Sequence, residues 1–271
     1  MAITTLDGAL AGMQPLRPFA KAVTATLVAG RPASLWSLAG APGAGAFDTT
    51  LAGVALSSTS ANVAGQIPHS DPGSGNSHLA RFTGAANQPG QLLLCDRLWH
   101  NGGMDRTSTG AQTINSAAFP ARDAAGSTNG DGVLIGMEVS VAMGTGTPTI
   151  TLGYTNEANT ASRTATNIDS VVASSAVGAF YRLGLQAGDK GVRSIQTVQF
   201  SATWGTSGTL NLVAYRVLAS LPITQANVPN EIDVLTGAMQ RLYNGVVPFL
   251  IFVPNTTTAA NISGSYAETQ G

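Results

Sequence analysis

The chain has 271 residues, of which 44% are hydrophobic and only 10% are charged, with a formal net charge of −1; an ordinary soluble domain carries roughly 25% charged residues. The hydrophobic content excludes a disordered chain, the lack of any Lys/Arg run excludes a nucleic-acid footprint, and the single cysteine, Cys95, excludes an internal disulfide or a thiolate-rich metal site. Small residues stand where charge is missing, 32 glycines among them, and a surface so poor in charge is weakly protected against association.

The first residues lack a basic region followed by an apolar run, so no signal peptide is expected. Residues 6–13 predict a short helix, with Thr4 or Thr5 as cap, Asp7 at the positive end of its dipole, and Pro15 and Pro18 as stops. Residues 32–38 predict a second helix opening on Pro32. Gly40 to Gly45 resembles a phosphate loop in its glycines, but Ala46-Phe47 replace the lysine and hydroxyl residue such a loop needs. Dense turn signals follow, and residues 1–90 read as an irregular N-terminal arm with short helices, ordered against neighbours.

Periodicity begins at residue 91. Residues 91–99 form an apolar run suited to a buried strand or a short helix, with Cys95 as a small buried hydrophobe. Residues 132–141 alternate with period two, as do residues 147–154, and the glycine-rich turn between them predicts a hairpin. Residues 180–185, 192–204 and 209–221 predict three more strands, with Ile195 and Thr197 on one face of the second and Val198 and Phe200 on the other. The fold class expected is mainly β, an antiparallel β-sandwich or jelly-roll-like body over 91–222. Residues 223–271 predict a C-terminal helix from Asn230, with Ile232, Leu235, Met239, Leu242 and Tyr243 on one face, then a strand at 249–253 and a polar extended tail. The most apolar stretch, 246–253, is broken by Pro248 and too short to span a membrane.

Candidate chemistry is sparse. Ser127, Asn129, Asp131 and Glu138 fall at ligand positions of a calcium loop with Gly132 at its sharp turn. Ser127 lacks the carboxylate of the first ligand and a strand follows the loop, which favours a plain turn into that strand. His69, His78 and His100 with Cys95, Asp71 and Asp96 have no metal-ligand spacing, and no nucleophile-elbow motif is present. No catalytic residue and no cofactor is therefore expected. Arg97, Arg122, Arg193 and Arg216 are candidates for subunit contacts through carboxylate forks, joined by Leu242 and Phe249 in the C-terminal part.

The segment 94–103 (LCDRLWHNGG), with Phe119-Pro120-Ala121-Arg122-Asp123, and the segment 178–189 (GAFYRLGLQAGD) running on to Tyr215-Arg216-Val217-Leu218 resemble virion structural proteins of tailed bacteriophages. The resemblance implies a head decoration or cement protein, β-rich and trimeric. Its partners would be the major capsid protein and copies of itself, with no specific nucleic acid and no membrane. Such a protein is made in the host bacterial cytoplasm and resides in the virion. Two alternatives stand beside it: a tail, neck or fibre structural protein, as a tube, collar or receptor- or glycan-binding element, and a virion-borne hydrolase, which needs a carboxylate or histidine constellation.

Overall fold

The structure is a computed structural model that describes residues 3–23, 26–237 and 240–271. One helix, α1 (Leu6–Ala11), precedes the strands β1 (Arg17–Val23), β2 (Ala33–Ser34), β3 (Gly40–Ala41), β4 (Val54–Ala55), β5 (Ser77–Ala86), β6 (Gly90–His100), β7 (Gln112–Thr113), β8 (Leu134–Val141) and β9 (Ile150–Asn156). There follow β10 (Arg163–Asn167), β11 (Phe180–Gly184), β12 (Val192–Phe200), β13 (Thr209–Ile223), β14 (Asn230–Asp233), β15 (Arg241–Leu242), β16 (Pro248–Pro254) and β17 (Ala260–Gln270).

Two antiparallel sheets result. The smaller has the order β14-β5-β17-β1-β3, with β15 also on β5; the larger runs β2-β16-β6-β13-β8-β11-β10-β9-β12-β7, with β4 also on β6. The larger sheet curls around a core that includes Ile135, Met137, Leu152, Tyr154, Phe200, Trp204 and Leu212. Its β16-β6-β13 end lies on the smaller sheet through a second core, with Leu92, Leu94, Leu221 and Phe252 on one side and Phe19, Phe82, Ile262 and Tyr266 on the other. A third core covers the opposite face of that end, where Trp36, Leu56 and Val63 pack on Cys95, Phe249 and Ile251. The long strand β13 serves all three: register shifts at Ala214/Tyr215 and Val217/Ala219 re-aim its side chains.

The mainly β, antiparallel character matches the sequence pattern, and α1 forms with Thr5 Oγ1 accepting from Gly8 N at 3.0 Å. The C-terminal helix does not form. Asn230–Asp233 and Arg241–Leu242 instead pair with β5 as β14 and β15. Asp233 Oδ1 accepts from the backbone of Leu235 and Thr236, both at 2.9 Å, and so closes a turn that competes with helix. Met239, part of the predicted helical face, lies outside the described residues. The second helix is also absent, since Ala33–Ser34 forms β2 against β16.

The predicted hairpin gives two real strands that are not partners: β8 lies between β11 and β13, and β9 between β10 and β12. In β12, register shifts at Val192/Ser194 and Ile195/Thr197 put Val192, Ile195, Val198 and Phe200 all into the core, so strict alternation misassigns Ile195. The polar tail is β17, paired on both sides, with β1 and with β5. Strands from 1–90, 91–222 and 223–271 thus share sheets: β1, β3 and β5 pair with β14, β15 and β17, while β4 and β16 border β6.

Leu221 is 1% exposed between the two sheets. Leu221→Ala is expected to lower the unfolding free energy by about 2–5 kcal/mol in a chemical denaturation titration. Ile168→Ala, at a side chain 63% exposed, should change it by no more than about 0.5 kcal/mol.

Candidate functional site

The densest polar chemistry is a buried ionic seam centred on β6. Asp96 and Arg97, adjacent on an extended strand, point to opposite faces. Arg122 grips Asp96 in a fork, Nε donating to Oδ2 at 2.9 Å and Nη2 to Oδ1 at 3.2 Å. Val247 N donates to the same Oδ1 at 2.9 Å, and Arg122 Nη1 donates to Leu56 O at 2.8 Å. On the other face Arg97 Nη1 donates to Glu138 Oε2 at 2.8 Å, with both side chains fully buried, and Arg97 Nε donates to His100 Nδ1 at 3.2 Å.

Three aromatic rings enclose the Arg97 guanidinium. Its carbon lies 4.4 Å from the centre of the Trp36 ring, 5.1 Å from Phe47 and 5.3 Å from Phe249. Nη2 has no hydrogen-bond partner; the ring faces supply the attraction to the cation in its place. Burial draws the Arg97 pKa down from its ordinary value, and the charge and hydrogen bond of Glu138 oppose that shift. Burial, and then the neighbouring Arg97 charge, push His100 down to about 2, so its ring is neutral.

The calcium-loop residues are not brought together. Glu138 lies inside β8 and is committed to Arg97. The loop closes instead on Asp123: Oδ1 accepts from Ala125 N (3.0 Å) and Ser127 N (2.7 Å), and Oδ2 from Ser127 Oγ (2.7 Å), Gly130 N (3.0 Å) and Asp131 N (3.2 Å). These donors commit both Asp123 oxygens to the loop's own hydrogen bonds. Burial acts to raise the Asp123 pKa, but the hydrogen bonds outweigh it and the net shift is downward. Among the described residues no group of three or more His, Cys, Asp or Glu is arranged to hold a metal ion.

The predicted subunit contacts mostly face inward. Arg97, Arg122, Arg216, Leu242 and Phe249 are all buried within the chain, while Arg193 on β12 is half-buried. Arg216 stacks over Tyr243 at 5.4 Å and donates to Arg241 O at 3.1 Å. The physical reason is that each buried arginine finds its carboxylate, carbonyl or ring inside the same fold. Two partly exposed forks do the same work on β10 and β11 of the large sheet, Arg163 with Asp189 and Arg182 with Asp169. Asp189 is held well below the ordinary carboxylate range, first by Arg163 and against a smaller effect of burial.

A second cluster, buried except at Asp71, links distant segments. His69 Nδ1 lies 2.6 Å from Glu268 Oε2 and Nε2 lies 3.1 Å from Asp71 Oδ1. Tyr266 donates its hydroxyl to Glu268 Oε2 at 2.8 Å, and Gly245 N donates to Asp71 Oδ1 at 2.8 Å. Burial, then Glu268, push the Tyr266 hydroxyl far above its ordinary value, so it stays protonated. His69 and Asp71 were both visible as polar candidates in the sequence. Nothing there points to Glu268, which lies 199 residues from His69.

The outer face of the smaller sheet is built of small residues. Ala20 and Ala22 on β1, Ala85 on β5, and Asn261 and Ser263 on β17 line a shallow cavity of about 440 Å³ with Ala39 and Gly40. Lys21 borders it with its amine turned away, donating to Leu38 O at 2.7 Å and Gly43 O at 2.9 Å; burial lowers its pKa to about 8.

No protein-family model and no curated protein sequence matches this chain. Among solved structures it is similar to the VP2 subviral particle of infectious bursal disease virus, at 9% identity over 96% of this chain and 81% of that one, with a TM-score of 0.19. Structures of the Gx and Gt strains of the same virus show 9% and 10% identity, cover 95% of this chain and 81% and 82% of theirs, and have TM-scores of 0.18 and 0.16. At such scores the chains do not superpose as one fold, and the likeness contributes nothing to the assignment of function.

Glu138→Gln should leave the buried guanidinium without its counter-charge and cost about 3–5 kcal/mol in a denaturant melt. Arg97→Met combined with Glu138→Leu should recover much of that loss. His100 and His78 both have depressed pKa values when folded, through burial and then through Arg97 and Arg241 respectively. The unfolded chain therefore binds more protons below the ordinary histidine pKa of about 6.5, and stability falls as pH drops from there. Thermal melts between about pH 6.5 and 4.5 should show this loss, at up to ~1.4 kcal/mol per pH unit for His100 alone, with a shallower slope in His100→Gln.

Proposed function

We propose that this chain is a non-enzymatic virion structural protein, a capsid decoration or cement protein that stabilises the head of a tailed phage. Its partners in this reading are the major capsid protein and copies of itself. The observation that supports it is the disposal of charge. Of only 13 basic and 14 acidic residues, Asp96, Arg97, Arg122, Asp123, Glu138, Arg216 and Glu268 are buried within the fold, each engaged there by at least one hydrogen bond or ion pair.

What remains outside is short on charge and rich in small side chains, as on the face of Ala20, Ala22, Ala85 and Ser263. Such a face gives up little on losing water, since few ionised groups must be desolvated, and it lets another backbone approach closely. The histidines and carboxylates that stand near one another are spent on mutual hydrogen bonds, which supports a structural role over a catalytic one.

The test is binding to heads assembled without the protein. Purified chain should cosediment with such heads at a saturable ratio and raise the temperature at which they release DNA. Immunogold labelling of intact virions with antibody to residues 91–222 should decorate the head. Label confined to the tail or neck overturns the decoration reading in favour of a tail or fibre component, and unlabelled virions with a demonstrably accessible epitope overturn a virion role.

A further inference from the structure

The first helix is turned the wrong way for a helix on the surface of a lone protein. α1 buries only Ala9, while Leu6 and Leu10, one turn apart on the same side, are 58% and 61% exposed. The apolar surface continues along the chain through Met13 and Leu16, 40% and 54% exposed. It also crosses a cleft of about 300 Å³, lined by Ile3, Leu6 and Val234, to Leu235, which is 80% exposed. Scattered exposed leucines are ordinary; a contiguous group of them marks a contact surface.

The charges flanking this surface say what covers it. Asp7 is exposed beside Leu6, and Arg17 follows Leu16. Among the described residues neither makes an ion pair, and Arg17 Nε is buried without a partner. The group opposite Arg17 in the sheet is Tyr266, whose hydroxyl is protonated. The apolar stretch therefore carries an exposed carboxylate at its start and a half-buried arginine at its end, neither in an ion pair among the described residues. A second copy related by a twofold axis runs this stretch antiparallel, laying each Asp7 beside the other copy's Arg17 while the leucines meet between them.

We propose that residues 3–17 together with Leu235 form a twofold self-association surface, occupied by the same surface of a second copy. The inference rests on the self-association in the function proposed above, and not on where in a virion the chain resides.

Sedimentation velocity of the full chain at micromolar concentrations tests it. A dimer is expected, and Leu6→Asp/Leu10→Asp should give monomer with unchanged circular dichroism and melting. Asp7→Arg should weaken dimerisation at least about tenfold, and adding Arg17→Asp should restore it, an arm that holds even if the leucine double variant fails to fold. A wild-type chain that is monomeric throughout, a dimer indifferent to the leucine pair, or a reversed charge pair that fails to rescue overturns the proposal. A chain that dimerises but ignores heads retires the capsid reading alone, and one that binds heads as a monomer retires this surface alone.

Discussion

A guanidinium enclosed by three aromatic rings organises this molecule. Arg97 sits on β6, its carboxylate partner Glu138 on β8, and its ring neighbours come from β16 and from the stretch around residues 36–47. Its backbone neighbour Asp96 collects Arg122 and the Val247 amide on the opposite face of the strand. One short piece of β6 thereby fixes the loop-rich N-terminal stretch, the 120–131 loop and the last third of the chain around a single point. Buried charges of this kind are costly to desolvate, and their return is specificity of arrangement more than net stability. In a fold with many short strands and glycine-rich turns, alternative pairings are numerous. An ion pair that fits only one of them selects against the rest.

The strands were largely legible in the sequence. Runs at 132–141 and 209–221 fall on β8 and β13 because their apolar residues alternate as a sheet requires, and the apolar runs at 91–99 and 180–185 fall on β6 and β11. Their partnerships were not legible. Nothing local distinguishes β8 paired with β9 from β8 paired with β11 and β13, since that choice is made by cores assembled from remote segments. The false helix at 230–243 shows the same limit. Ile232, Leu242 and Tyr243 do fall at helical spacing, yet the open edge of β5 and the turn at Asp233 claim the segment for the sheet.

The polar residues mislead in the sequence for a related reason. Arg97, Arg122 and Arg216 stand out in a chain with little charge, and scarcity invites the reading that they serve a partner. Their carboxylates and rings are far away in sequence, so only the fold reveals that each is already engaged. Residues with real access to a partner, Leu6, Leu10 and Leu235, look in the sequence like ordinary core positions. Burial, which separates the two groups, is a property of the assembled chain.

The position of β17 has a consequence for how the protein comes into being. This strand stands between β1 and β5, pairing Arg17 with Tyr266 and Phe82 with the same tyrosine. At ribosomal speeds of about 5–20 residues per second, tens of seconds separate the emergence of β1 from that of β17. Until β17 emerges, β1, and later β5, lack the strand that pairs between them, in a chain whose low charge offers little protection from sticking. The curled part of the larger sheet, whose strands β8 to β13 are close in sequence, can close in the meantime. Biogenesis therefore has a vulnerable window, and anything that shields β1 and β5 during it, such as a holding chaperone or a prompt encounter with assembly partners, sets the yield of native protein.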